Sequence, residues 1–138
     1  MPIVEDHALR LMRAVQEALE AGLPLDGGWR ATRLETPIYP VGYINVTSST
    51  PMRGQAYYAE QHRGVVSVWT RASRAEAANP AQCFNLCNDA HTILGQAILS
   101  ASGFQVSQFA CGAMTPQNPD GLTWGRSFFF TATTHEVG

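Results

Sequence analysis

The sequence predicts an α+β fold in which two helices pack on one face of a mostly antiparallel sheet of about five strands, in the order α-β-β-β-α-β-β. Three observations carry it. Apolar residues recur with helical spacing in two stretches, residues 5–21 and 80–102. Residues 41–47, 57–71, 104–110 and 122–134 are rich in β-branched and aromatic side chains. The strand segments are mostly consecutive in the chain, which favours antiparallel pairing over a βαβ arrangement. The 138 residues, 45% apolar and 14% charged, fit a single domain, taken as 1–138, whose core needs no disulfide or metal.

Between Glu5 and Ala21, the residues Leu9, Met12, Val15, Ala18 and Leu19 fall three or four apart, with Arg10, Arg13, Glu17 and Glu20 among them, as in an amphipathic helix. Glu5 and Asp6 in its first turn suit the positive end of the helix dipole, and Gly22 with Pro24 stops it. Asp26-Gly27-Gly28 is a turn. Trp29 to Thr36 reads as a short or edge strand, because Pro37 and Pro40 interrupt any ladder of hydrogen bonds. Val41 to Thr47 is a strand with Val41, Tyr43 and Asn45 on one face and Ile44 and Val46 on the other. Ser48 to Gly54 is polar and turn-rich, and is expected to be a loop that leaves the body of the domain. Tyr57 to Arg71 is extended, with Gly64 to Thr70 its strongest part.

Asn79 is placed to cap, and Pro80 to open, a long helix running to about Ser102, with Gly103 as its terminator. Its stripe is Cys83, Cys87, Ala90, Leu94, Ala97, Ile98 and Ala101, broadened by Phe84, Leu86 and Ile93. Phe104 to Ala110 and Leu122 to Thr134 are two antiparallel strands, joined by a long loop from Cys111 to Gly121 that holds Pro116 and Pro119. Two helices are too few to cover both faces of such a sheet, so one face is open and self-association is the simplest cover. Phe128, Phe129 and Phe130 must alternate between faces, so most of them enter the core and one ring is expected to point toward an adjoining subunit.

Composition excludes several functions. Nine Arg and no Lys against eleven acidic residues give a net charge of −2, so there is no basic field for nucleic acid or an anionic membrane. The start MPIVEDHALR lacks the basic and apolar regions of a secretory signal, and no window reaches the roughly 18 apolar residues of a membrane span. Three cysteines make no disulfide framework and suit a reducing compartment, so synthesis in the cytoplasm is expected. The Arg-only basic set reflects either compositional bias or planar forks used at interfaces.

The chemical signals are sparse. Cys83, Cys87 and His91 lie at i, i+4 and i+8 on one helix face and resemble part of a zinc site that Cys111 could complete. The same two cysteines fall on the apolar stripe, where small buried residues belong. A thiol nucleophile would need His62, His91 or His135 beside it, and no Gly-x-Ser-x-Gly turn, carboxylate pair or phosphate-binding glycine loop accompanies it. No catalytic, cofactor-binding or metal-binding residue is therefore assigned, and His7 and His135 are expected to be solvated.

The segments TPIYPVGYINV and GVVSVWTRASRAEAANPAQCFNLCNDAHTIL follow the N-terminal helix, with the strand end Val68-Trp69-Thr70-Arg71, a polar linker containing Glu76 and Ala77, and a helix toward Leu94. Over nearly the whole chain this pattern resembles the tail-terminator or tail-completion family of long-tailed bacteriophages and gene transfer agents. The resemblance implies a non-enzymatic virion subunit, made in the bacterial cytoplasm and placed in the tail or neck. It would form a ring of six copies on the last ring of the tail tube protein, stop tube growth, and offer a docking face to a head-side connector or stopper protein. A head–tail joining or stopper neck protein is the neighbouring reading, and a Cys/His zinc or thiol enzyme the one of a different class. The family has no catalytic residues to carry over, and the Cys111 to Gly121 segment matches no family feature. The interface residues expected from the polar segments are Ser48, Ser49, Thr50, Met52, Arg53 and Tyr57 near the first, Arg71 and Arg74 before the second helix, and Pro116, Asn118 and Asp120 in the second.

Overall fold

A computed structural model of the chain describes residues 6–33, 35–53, 58–72, 79–96, 99–101 and 104–136. Helix α1 (His7–Gly22) starts where the Asp6 carboxylate accepts a hydrogen bond from the Leu9 N–H at 3.0 Å. Asp6 is therefore the cap and not a first-turn residue. The buried residues of α1 are His7, Leu11, Ala14, Val15 and Leu19, whereas Leu9, expected on the buried stripe, is 49% exposed. His7 explains the rotation: with its imidazole inside, Leu11 and Val15 follow at helical intervals on the same face. The helix closes with the Leu23 N–H on the Leu19 carbonyl at 2.7 Å.

Strands β1 (Trp29–Arg30), β2 (Val41–Arg53) and β3 (Tyr58–Arg71) come next, then helix α2 (Ala81–Gln96) and strands β4 (Ser100–Ala101), β5 (Phe104–Gln117) and β6 (Thr123–Glu136). They build one six-stranded sheet in the order β1-β2-β3-β6-β5-β4. Every neighbouring pair is antiparallel except β1 with β2. The α+β architecture and its element order are as expected, with the two-residue β4 added.

Both helices lie on the same face, α1 over β2 and α2 over β3, β5 and β6, and they touch each other. The core between them joins Ile44, Val66, Val68, Phe128, Phe130 and Ala132 of the sheet to Leu11, Val15 and Leu19 of α1 and Cys87, Ala90 and Leu94 of α2. Two glycines make room for large rings: a Cβ at Gly64 would collide with Phe130, and one at Gly42 with Trp29. Trp29 also donates its indole N–H to the Leu23 carbonyl at 2.8 Å, which ties β1 to the end of α1.

The Asn79 side chain accepts from the Ala81 N–H at 3.0 Å, the expected cap of α2, and the stripe Cys83, Cys87, Ala90 and Leu94 is buried as anticipated. The helix ends at Gln96 instead of Ser102. Gly95 weakens its last turn, and beyond it the carbonyl of buried Leu99 accepts from the Val106 N–H at 3.2 Å, so Ser100 and Ala101 pair with β5. Ala97, Ile98, Ser102 and Gly103 lie outside the described residues.

Both expected loops are strand for most of their length. Ser48 to Arg53 continues β2 and pairs with Tyr58 to Arg63, and Cys111 to Gln117 continues β5 against β6. Proline misled in both cases. Pro51 and Pro116 sit on outer strands, where a missing N–H can face away from the ladder without breaking it. Irregular register at Val46/Ser48, Ser107/Ala110 and Cys111/Met114 further blurs the alternation that a sequence reading relies on.

Leu94 is 1% exposed and lies in the shared core. Leu94→Ala should cost about 2–5 kcal/mol, measured by urea unfolding; an unchanged midpoint would contradict this packing.

Candidate functional site

Strands of fourteen residues (β3, β5 and β6) give a sheet about 45 Å long, and its two ends separate the expected interface residues. Ser48, Ser49, Thr50 and Met52 are exposed on the half of β2 that runs to Arg53. Arg71, Pro116, Asn118 and Asp120 are exposed at the opposite end, where β3 finishes and β5 turns into β6. Tyr57 and Arg74 lie outside the described residues.

At that second end Asp120 organises the turn. Its carboxylate accepts from the backbone N–H of Leu122 at 2.9 Å and of Thr123 at 2.7 Å, and from the Arg71 guanidinium at 2.9 Å. Arg71 also donates to the Thr123 hydroxyl at 2.7 Å. The two backbone donors, helped by Arg71, hold the Asp120 carboxyl down at about 2. Arg71 and Asp120, expected as contacts to another subunit, also bond each other while staying exposed.

The face of the sheet opposite the helices is covered by no helix among the described residues. Alternation places Tyr43, Val65, Trp69 and Phe129 there, and Phe129 is 56% exposed while Phe128 and Phe130 are buried. This is the division expected of the triple aromatic run. Phe129 borders an open depression of about 390 Å³ shared with Arg63, Ala110, Gly112 and Thr131. The Tyr43 hydroxyl is buried without a hydrogen-bond partner. The sheet also has two free edges among the described residues. β1 covers β2 only at Gly42 and Tyr43, and β4 covers β5 only at Phe104 and Gln105.

Among the described residues, the cysteines belong to no group of side chains placed to hold a metal ion. Cys83 and Cys87 donate to the carbonyls of Val68 at 3.3 Å and Arg126 at 3.6 Å, and His91 bonds the Gly112 carbonyl at 3.1 Å. Burial pushes the thiols of Cys83, Cys87 and Cys111 up to about 11, which makes them poor nucleophiles. Of the other histidines named as thiol partners, His62 bonds Ser49 and Thr134, and His135 bonds Gln105.

A polar cluster lies instead inside the helix-facing layer, near the first end of the sheet. His7 and His62, each 2% exposed, both meet the Thr134 hydroxyl at 2.8 Å, His7 through Nδ1 and His62 through Nε2. The His62 Nδ1 bonds the Ser49 hydroxyl at 2.7 Å, and the His7 Nδ1 lies 3.6 Å from the Glu60 carboxylate. Burial lowers the pKa of His62, against an opposing pull from Glu60. His7 is therefore not solvated as expected, and His135 is half-buried on Gln105 at 3.1 Å. The cluster had a signal in the sequence: Glu60 and His62 share the parity of Val66 and Val68, and His7 the period of Leu11 and Val15.

Among solved structures, a chain from the virion of a native gene transfer agent (GTA) particle has this fold: TM-score 0.68 at 15% identity, over 95% of this chain and 99% of that one. At that identity the likeness is one of fold. A second solved chain gives a TM-score of 0.48 at 13% identity, over 96% of this chain and 98% of its own. No protein-family model matches the sequence, and no curated protein does.

Two outcomes test these local structures. Because the Asp120 carboxyl is depressed from 3.8 to about 2, its contribution is full above pH 4 and disappears as pH falls through that interval. Asp120→Ala should therefore lower the melting temperature at pH 7 and match the parent near pH 2. A rise of about 2 units in thiol pKa leaves about 100-fold less thiolate at pH 8. Alkylation of Cys83 and Cys87 by iodoacetamide should be slower in the folded chain than in urea by at least that factor.

Proposed function

We propose that the chain is a structural subunit of a phage-like virion that closes into a ring of six copies on the end of the tail tube, stops its polymerisation, and presents a docking face to the head-side connector or stopper. One observation carries the reading: two free edges on opposite sides of one sheet, beside a face that no described helix covers. β2 and β5 run in opposite senses, since three antiparallel pairings separate them across the sheet. Copies related by rotation about an axis along the strands therefore bring the free edge of β2 against the free edge of the next copy's β5 in antiparallel register. Such a contact joins unlike surfaces, and unlike surfaces close into rings at the right rotation. Pro51 and Pro116, one on each edge, remove a donor apiece and restrict the registers in which the edges fit.

The opposite ends of the sheet supply the axial contacts. Ser48, Ser49, Thr50, Met52 and Arg53 flank one end, and Arg71, Pro116, Asn118 and Asp120 the other, so the tube and the head-side partner meet different residues. The solved chain of the same fold belongs to a gene transfer agent virion, which supports a virion structural role. Such a role needs no catalytic group, membrane or nucleic-acid site, and the net charge of −2 suits it.

Electron microscopy of particles made without the gene is the test. Abnormally long, unattached tails are the expected result; normal-length tails without heads would assign the chain to head–tail joining instead. In the purified chain, Phe129→Gln should shift stability by no more than about 0.5 kcal/mol yet reduce capping of tail tubes.

A further inference from the structure

The cluster of His7, Glu60 and His62 supplies none of the contact surfaces of the ring reading, and its chemistry is specific. We propose that these three side chains bind a single divalent transition-metal ion of the zinc type, which staples the start of α1 to the β2–β3 hairpin. Two imidazole nitrogens and one carboxylate oxygen are a zinc donor set, and zinc so bound keeps a further position for a hydroxyl or water. Bonds of about 2.0–2.2 Å in tetrahedral geometry set ligand atoms about 3.3–3.6 Å apart. The His7 Nδ1 and the Glu60 carboxylate are 3.6 Å apart, and the ligand atoms of all three residues lie within 4.8 Å of one another. Small rotamer adjustments close the remainder.

The surroundings match a ligand shell. Glu60 and His62 stand two apart on β3, so both face the helix side, and His7 enters from α1. The Ser49 hydroxyl on the His62 Nδ1 leaves Nε2 pointing inward, as partners of metal-binding histidines do. The Thr134 hydroxyl, on β6 opposite Glu60, touches both imidazoles and lies where an ion or its water would be contacted. Both histidines are 2% exposed and Glu60 14%, so bulk water competes weakly and the carboxylate gains a close counter-charge. The alternative is a cluster held by hydrogen bonds alone.

The full-length chain, stripped with a chelator, is titrated with Co²⁺ and Zn²⁺ by calorimetry and visible absorption. One equivalent of either ion should bind, raise the melting temperature, and give cobalt d–d bands without a thiolate charge-transfer band. His62→Gln should abolish stoichiometric binding, and Ser49→Ala should weaken it about 10-fold. The Cys83→Ser/Cys87→Ser double variant should bind as the parent does. Absence of saturable binding to the folded parent, a thiolate band, or loss of binding in the cysteine variant would each overturn the site. If His62→Gln does not fold, the parent's cobalt spectrum and the Ser49→Ala titration decide.

Discussion

β3 and β6 pair without interruption from Ala59 opposite His135 to Arg71 opposite Thr123, and every other element is positioned by that ladder. Its even-numbered residues face the helices: Val66 beside Phe128, Gly64 beside Phe130, His62 beside Ala132 and Glu60 beside Thr134. A slip of one residue would send Phe128 and Phe130 to the open side and Phe129 into the core, so the buried rings hold the register. β2 and β5 then add on either flank, and α1 and α2 cover the layer that the ladder has made apolar.

That arrangement explains which parts of the molecule were legible in the sequence. Segments whose residues are buried on one face show their period directly: Gly64 to Thr70, the α2 stripe from Cys83 to Leu94, and the Phe128–Phe130 run were all read as they are found. The outer strands were not. Polar residues from Thr47 to Pro51 and Thr115 to Gln117 look like loop because strand order exposes both their faces and one edge, and proline is tolerated there. The end of α2 was missed for another reason: apolar residues continue past Gln96, and local spacing does not tell that buried Leu99 leads into a strand.

The polar residues divide similarly. Arg71 and Asp120 are expected from the sequence at an interface, and the fold brings them together across 49 positions. His7 is expected from the sequence to be solvated, and only the packing of α1 against the sheet places it 2.8 Å from Thr134, 127 positions away. Contacts of that span have no counterpart in local periodicity. The parity of His62 with Val66 and Val68 is the kind of trace they leave, a polar residue in step with an apolar face.

The two ends of the sheet are therefore held by different chemistry. At the Asp120 end the bonds are charged and exposed, within a turn that closes on its own backbone. At the Ser49 end they are buried around Thr134 and half-buried at Ser49 itself, and they join α1, β2, β3 and β6 through His7, Ser49, His62 and Thr134. Between the ends the aliphatic and aromatic core carries the load; toward the Ser49 end, Ala132 is the last buried apolar residue on β6 before Thr134. Beyond that point β2, β3, β6 and β5 stay paired side by side, but among the described residues of these strands only Ala59 adds a buried apolar side chain. Directional bonds to the imidazoles add to that thin packing: they tie β2 and β3 to α1 and β6, and so hold the free edge that β2 offers. Orientation of an edge matters more for closing a ring than its affinity, because a small angular error repeats at every subunit. A buried polar cluster beneath that edge suits the requirement, because directional hydrogen bonds specify a geometry more narrowly than a purely apolar contact does.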